Sequence, residues 1–147
     1  MSAELVKVVR DNWAWTGVDP IAVVAVSRFG HLVLRDADDA FWHLDPEMAT
    51  LNNIAGDEAA LTNFWAEPET EQLWRAEALV SVARATLGEA GNGCCYGWKV
   101  PVMLGGGFEA ANMCILPITE IVGFSGHLAE QIRGFPEGAQ VRLKVIP

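Results

Sequence analysis

A chain of 147 residues is the size of one domain, and 51% hydrophobic against 20% charged residues, with six Trp and six Phe, excludes an intrinsically disordered polymer. The formal charge of −9 arises from 19 acidic and 10 basic residues, and ten of the acids lie within residues 36–71, where there is no Lys or Arg. A field so localised favours a cationic partner and argues against nucleic acid as a ligand.

No apolar run approaches the roughly 18 residues needed to span a bilayer, so no membrane association is expected. The first seven residues lack the basic start and apolar stretch of a signal peptide, and three cysteines cannot all pair. Both features suit a reducing, cytoplasmic setting.

In chain order, Leu5, Val8, Val9 and Trp13 predict a helix over residues 3–13, ended by Gly17 and Pro20. Residues 21–26, 31–35 and 40–44 are short β-rich runs separated by Phe29-Gly30 and by an acidic turn, which predicts an antiparallel meander. Asp57 is placed to cap a helix over residues 58–65 that buries Leu61, Phe64 and Trp65 and stops at Pro68. A longer helix is predicted over residues 69–87, from Leu73, Ala76, Val80, Ala83 and Leu87, with Glu71 set to pair with Arg75. After Gly88 and Gly91 come a strand or loop over 94–104, a Gly105-Gly106-Gly107 turn, a strand over 112–117, a helix over 120–133 and a last strand over 140–146. The pattern defines an α+β fold in a single domain, with a mainly antiparallel β-sheet and three to four packed helices.

Candidate chemistry is sparse. His31, His43 and His127 share no ligand spacing with one another or with Cys94, Cys95 and Cys114, so no metal site is predicted. A cysteine nucleophile would need His43 or His127 brought to Cys94 or Cys95 by the fold; ordinary packing of the thiols is the simpler expectation. The triple glycine is followed by Phe108 and Glu109 where a phosphate loop needs Lys and Ser or Thr, so a tight turn is expected and no cofactor. The Asp36, Asp38, Asp39 cluster lacks the pattern of a calcium loop and is expected to be a solvated turn. Trp13, Trp42 and Trp65 are expected in the core, and Trp15 and Trp98 as partly exposed anchors for a partner.

One stretch carries a family likeness. Tyr96-Gly97-Trp98, Pro101, Leu104-Gly105-Gly106, Phe108 and Asn112 form an ordered set, followed by Gly126-His127-Leu128 and by a turn at Pro136-Glu137-Gly138 before Val141. This resembles the C-terminal domain of immunity proteins that neutralise DNase toxins of bacterial type VI secretion systems. The likeness spans about residues 13–145, is strongest over 96–145, and is looser at Gly30, the Asp36–Asp39 turn and Leu61–Trp65. Longer members of that family carry a further N-terminal domain. The resemblance implies a non-enzymatic immunity protein whose partner is a cognate toxin with a basic nuclease domain. Asp36, Asp38, Asp39, Glu67, Glu69 and Glu71 would be the toxin-binding acids, since a dense acidic face can occupy a surface built for phosphates. The motif residues Tyr96 to Asn112 would serve folding, with Gly and Pro meeting backbone demands. The alternative is a small ligand-binding domain or enzyme with a pocket around Tyr96, Trp98 and His127.

Overall fold

The computed structural model describes residues 2–136, so the strand expected over 140–146, together with Glu137, Gly138 and Val141, lies outside the described residues. Helix α1, Ser2–Trp13, sets Leu5, Val9 and Trp13 four residues apart on one buried stripe. A short 3-10 turn and a left-handed Gly17 end it. Strands β1 (Pro20–Val26), β2 (Leu32–Asp36), β3 (Phe41–Asp45) and β4 (Thr50–Ala55) then pair antiparallel in that order. The first three are the predicted meander. Asn52 and Asn53 disguise the fourth in the sequence because Asn is depleted in strands. On this edge strand both are exposed, and the Asn53 amide donates to the Phe41 carbonyl at 3.1 Å beside a bulge.

The sheet is apolar on both faces. Leu32, Leu34 and Leu44 join Leu5, Val9, Trp13 and Val122 in one core, whereas Val33 and Phe41 join Ala55 and Leu61 in another. Helix α2, Glu58–Ala66, covers the second face and starts as predicted, the Asp57 carboxylate accepting from the Ala60 N–H at 2.8 Å.

The single helix predicted over residues 69–87 is two helices, α3 (Pro68–Arg75) and α4 (Glu77–Leu87), broken at Ala76, which is left-handed at φ 43°. A straight rod could not do what the pair does. Trp74 of α3 packs against the first sheet's second face, while Val80 and Ala83 of α4 pack on Phe29, Tyr96, Trp98 and Met113. Leu73, predicted on the buried stripe, is therefore exposed, though the Glu71–Arg75 pair forms at 3.3 Å.

Strands β5 (Cys94–Trp98) and β6 (Met113–Pro117) make a second, two-stranded antiparallel sheet, and α5, Ile118–Ile132, follows at once. Helix α5 lies against α1, where the Trp13 indole donates to the Val122 carbonyl at 3.0 Å. Gly126 permits that approach, since a Cβ there would stand 2.6 Å from the Trp13 indole nitrogen. The α+β class with antiparallel sheets is the one the sequence predicts. No helix among the described residues is long and apolar enough to cross a membrane.

Alanine at positive φ is strained in a way glycine is not. Ala76→Gly is expected to hold or raise the unfolding free energy, by up to about 1 kcal/mol, in urea denaturation; a loss larger than that would show that the Ala76 methyl matters more than its backbone.

Candidate functional site

The pairing of Val33 with His43 in the β2–β3 ladder fixes which side chains share a face. Side chains alternate along a strand, so His43 and Asp45 lie on the face of Val33, and two places beyond Val33 sets His31 opposite Asp45. His31 is 2% exposed. Its Nδ1 lies 2.9 Å from His43 Nε2, its Nε2 lies 2.6 Å from Glu47 Oε1, and Asp45 Oδ1 is 3.8 Å from the same Nε2.

The turn after β3 brings Glu47 back beneath His31. Asp45 Oδ1 accepts the N–H groups of Glu47 and Met48, each at 2.9 Å, an Asx turn that closes the chain on itself. Glu47 Oε2 accepts from the Trp98 indole at 2.7 Å, so one carboxylate ties the first sheet to the second. With Glu47 ionised, His31 donates from Nε2 and accepts at Nδ1 from His43 Nε2–H, a tautomer pattern assigned from the network. Burial, then the neighbouring His31, lower the pKa of His43 against the opposing pull of Asp45. Trp74 packs on both imidazoles, with ring centroids 6.4 and 6.2 Å away.

Trp98 of the motif meets this network at Glu47. The Tyr96 hydroxyl donates to the Gly88 carbonyl at 2.7 Å, and Trp98 stacks on Phe29 and meets the edge of Phe108. Asn112 organises the loop between β5 and β6. Its amide donates to Val100 O and Gly107 O while its oxygen accepts from Val100 N–H, at 3.1, 2.9 and 2.9 Å. Pro101 accepts from Leu104 N–H and from Gly106 N–H, and a Cβ on Gly106 would lie 1.8 Å from the Val100 oxygen. Gly97, against Ile121 and Leu116, and left-handed Gly105 complete the loop's backbone.

The acidic residues divide into two groups. Asp36 is buried: its carboxylate accepts from Asp38 N–H, Ala40 N–H and the Trp42 indole at 2.9, 3.0 and 2.8 Å. Burial pushes its pKa up, but the hydrogen bonds from Trp42, Ala40 and Asp38 outweigh it and leave the group below the ordinary carboxylate value. Asp36 thus holds the β2–β3 turn, with its carboxylate engaged by three donors of the fold. Asp38, Asp39, Glu67, Glu69 and Glu71 are exposed. Asp39 pairs with Arg35 at 2.8 Å and Glu71 with Arg75. Glu69 and Glu71 also sit in the first turn of α3, where negative charge favours the helix.

Of the two Trp residues expected to be partly exposed, Trp15 is half-buried and donates to the Gly126 carbonyl at 3.2 Å, whereas Trp98 is buried with its indole on Glu47. Phe108, at 51% exposure, is the outward aromatic of this region. The pocket expected around Tyr96, Trp98 and His127 does not form from those three. A cavity of about 340 Å³ beside Trp98 is lined by Pro46, Glu47, Pro101, Phe124 and Leu128 among others, without Tyr96 or His127. His127 is exposed on α5 and within 2.9 Å of Gln131. Burial, aided by Cys94 and Cys114, pushes the Cys95 thiol up to about 12, so it stays protonated and packs as an apolar group.

The sequence reading missed the joint presence of His31, His43, Asp45 and Glu47. Motif spacings suited to helices and ribbons do not detect it; the parity of the predicted β2–β3 meander would have placed the first three on one face.

An α+β domain with a buried polar network and exposed acids is the general class these features define. Residues 58–129, from α2 into α5, match the family model described as T6SS immunity protein Tdi1, C-terminal. That family supports an immunity role, and its model reaches further upstream than the strongest part of the sequence resemblance. No curated protein matches the chain.

Glu47→Ala leaves two donors, His31 Nε2–H and Trp98 Nε1–H, without an acceptor. It is expected to lower the unfolding free energy by about 2–4 kcal/mol, read by urea denaturation, with Glu47→Gln intermediate. A depressed Asp36 pKa contributes stability that is present above the ordinary value of 3.8 and lost as pH falls through the folded-state value. The stability gap between wild type and Asp36→Asn should therefore be widest near neutral pH and shrink below pH 3.8, in denaturation curves taken across that range.

Proposed function

We propose that this chain is an immunity protein that binds a cognate toxin and neutralises it by occlusion, without catalysing a reaction. The match of residues 58–129 to an immunity-protein family carries this reading. The toxin is of the nuclease class and presents cations for the phosphate backbone, and the exposed acids Asp38, Asp39, Glu67, Glu69 and Glu71 dock on those cations in the cytoplasm. Two observations favour this charge-based mode. Residues 36–71 contain no Lys or Arg, and Asp38, Glu67 and Glu69 have no basic partner within 4 Å among the described residues. Phe108, exposed and braced edge-on against Trp98, supplies the apolar anchor that an electrostatic interface needs at its centre. The motif of Tyr96, Gly97, Trp98, Pro101, Leu104, Gly105, Gly106, Phe108 and Asn112 shapes that platform.

The test is to co-express the chain with the product of the adjacent gene and measure association by stopped flow. The triple variant Asp38→Lys, Glu67→Lys, Glu69→Lys is expected to slow association about tenfold or more at low salt and to flatten its salt dependence. Unchanged association with unchanged salt dependence would remove the acidic surface from the mechanism, and absence of any complex or protection would remove the immunity role for that pair.

A further inference from the structure

We propose that His31, His43 and Asp45 form a binding site for one divalent transition-metal ion of the zinc class, with Glu47 orienting His31 from behind. Their candidate donor atoms all lie within 4.8 Å of one another. In a tetrahedral site with bonds of about 2.0–2.1 Å, ligand atoms stand roughly 3.4 Å apart, so the wider pairs close by up to about 1.4 Å and the imidazole pair opens slightly. The two imidazole nitrogens that face each other, His31 Nδ1 and His43 Nε2, are already 2.9 Å apart.

Three further observations support an ion over a mere shared proton. The remaining nitrogen of His31 is held by a carboxylate, Glu47, which is itself fixed by the Trp98 indole. A carboxylate behind a histidine sets its tautomer and raises its basicity as a ligand. Next, Asp45 and Glu47 bring two negative charges into a place where each side chain is 13% exposed, and a divalent cation would neutralise both, whereas a proton neutralises one. Lastly, Asp45, Glu47 and Trp74 line a cavity of about 350 Å³, which offers an entry path and room for water at an open coordination position. Two imidazoles and a carboxylate suit zinc, copper or nickel, and not calcium or magnesium.

The experiment uses the whole chain, stripped with chelator and dialysed against zinc, then against cobalt as a spectroscopic probe. One equivalent of zinc is expected to bind, with His43→Gln and Asp45→Asn each weakening it about 10- to 100-fold. Asp45→Asn keeps the oxygen that accepts the turn N–H groups, so it separates loss of a ligand from loss of the fold. His127→Ala and replacement of all three cysteines by Ser should leave binding unchanged. In wild-type protein, zinc should also shift the ¹⁵N resonances of the His31 and His43 rings, a readout that needs no variant. The proposal is overturned by less than one equivalent at about 10 μM free zinc, by binding that survives His43→Gln, by unmoved ring resonances, or by a sulfur-to-cobalt charge-transfer band.

Discussion

The carboxylate of Glu47 is the interaction on which the polar centre depends, because it bridges two sheets that share no ladder, beside the Tyr96 N–H that donates to the Arg28 carbonyl and the packing of Cys95 in the first sheet's core. One oxygen serves His31 at the start of β2 and the other serves Trp98 at the end of β5. A carboxylate so enclosed is costly unless both oxygens are engaged, and that demand propagates outward. The Asx turn at Asp45 must return the chain at the right place, Trp74 must cover the imidazoles, and the loop from Val100 to Asn112 must keep Trp98 in position. The glycines, proline and Asn112 of the family motif meet that last requirement.

Much of the fold was legible because the elements carry local signals. The stripe of Leu5, Val9 and Trp13, the Asp57 cap and the three runs of the meander owe little to distant partners. What sequence reasoning missed was set by tertiary demands. Ala76 is a good helix former, and it breaks the helix because Trp74 and Val80 serve different sheets. The Asn residues of β4 suit an edge strand, though average propensity argues against a strand there. The histidine cluster is invisible to linear spacing because strand pairing, with its period of two, brings its members together.

The acidic segment divides by burial. Asp36, Asp45 and Glu47 turn inward and work as hydrogen-bond acceptors, while Asp38, Asp39, Asp57, Glu58, Glu67, Glu69 and Glu71 remain at the surface. A single run of like charge therefore serves two ends, and its outer part is the part exposed for direct contact. The two uses coexist since the inward acids have their donors supplied by the fold, which leaves their oxygens occupied.

The turn from Asp36 to Ala40 has a role beyond reversing the chain. Its length is held by the Asp36 carboxylate, which grips the N–H groups of Asp38 and Ala40 and the indole of Trp42. Removing one residue from this turn would rotate β3 by half a period, sending His43 and Asp45 toward the α1–α5 core and Trp42 and Leu44 toward Trp74. Asp36 thus acts as a ruler for a polar centre that it never touches.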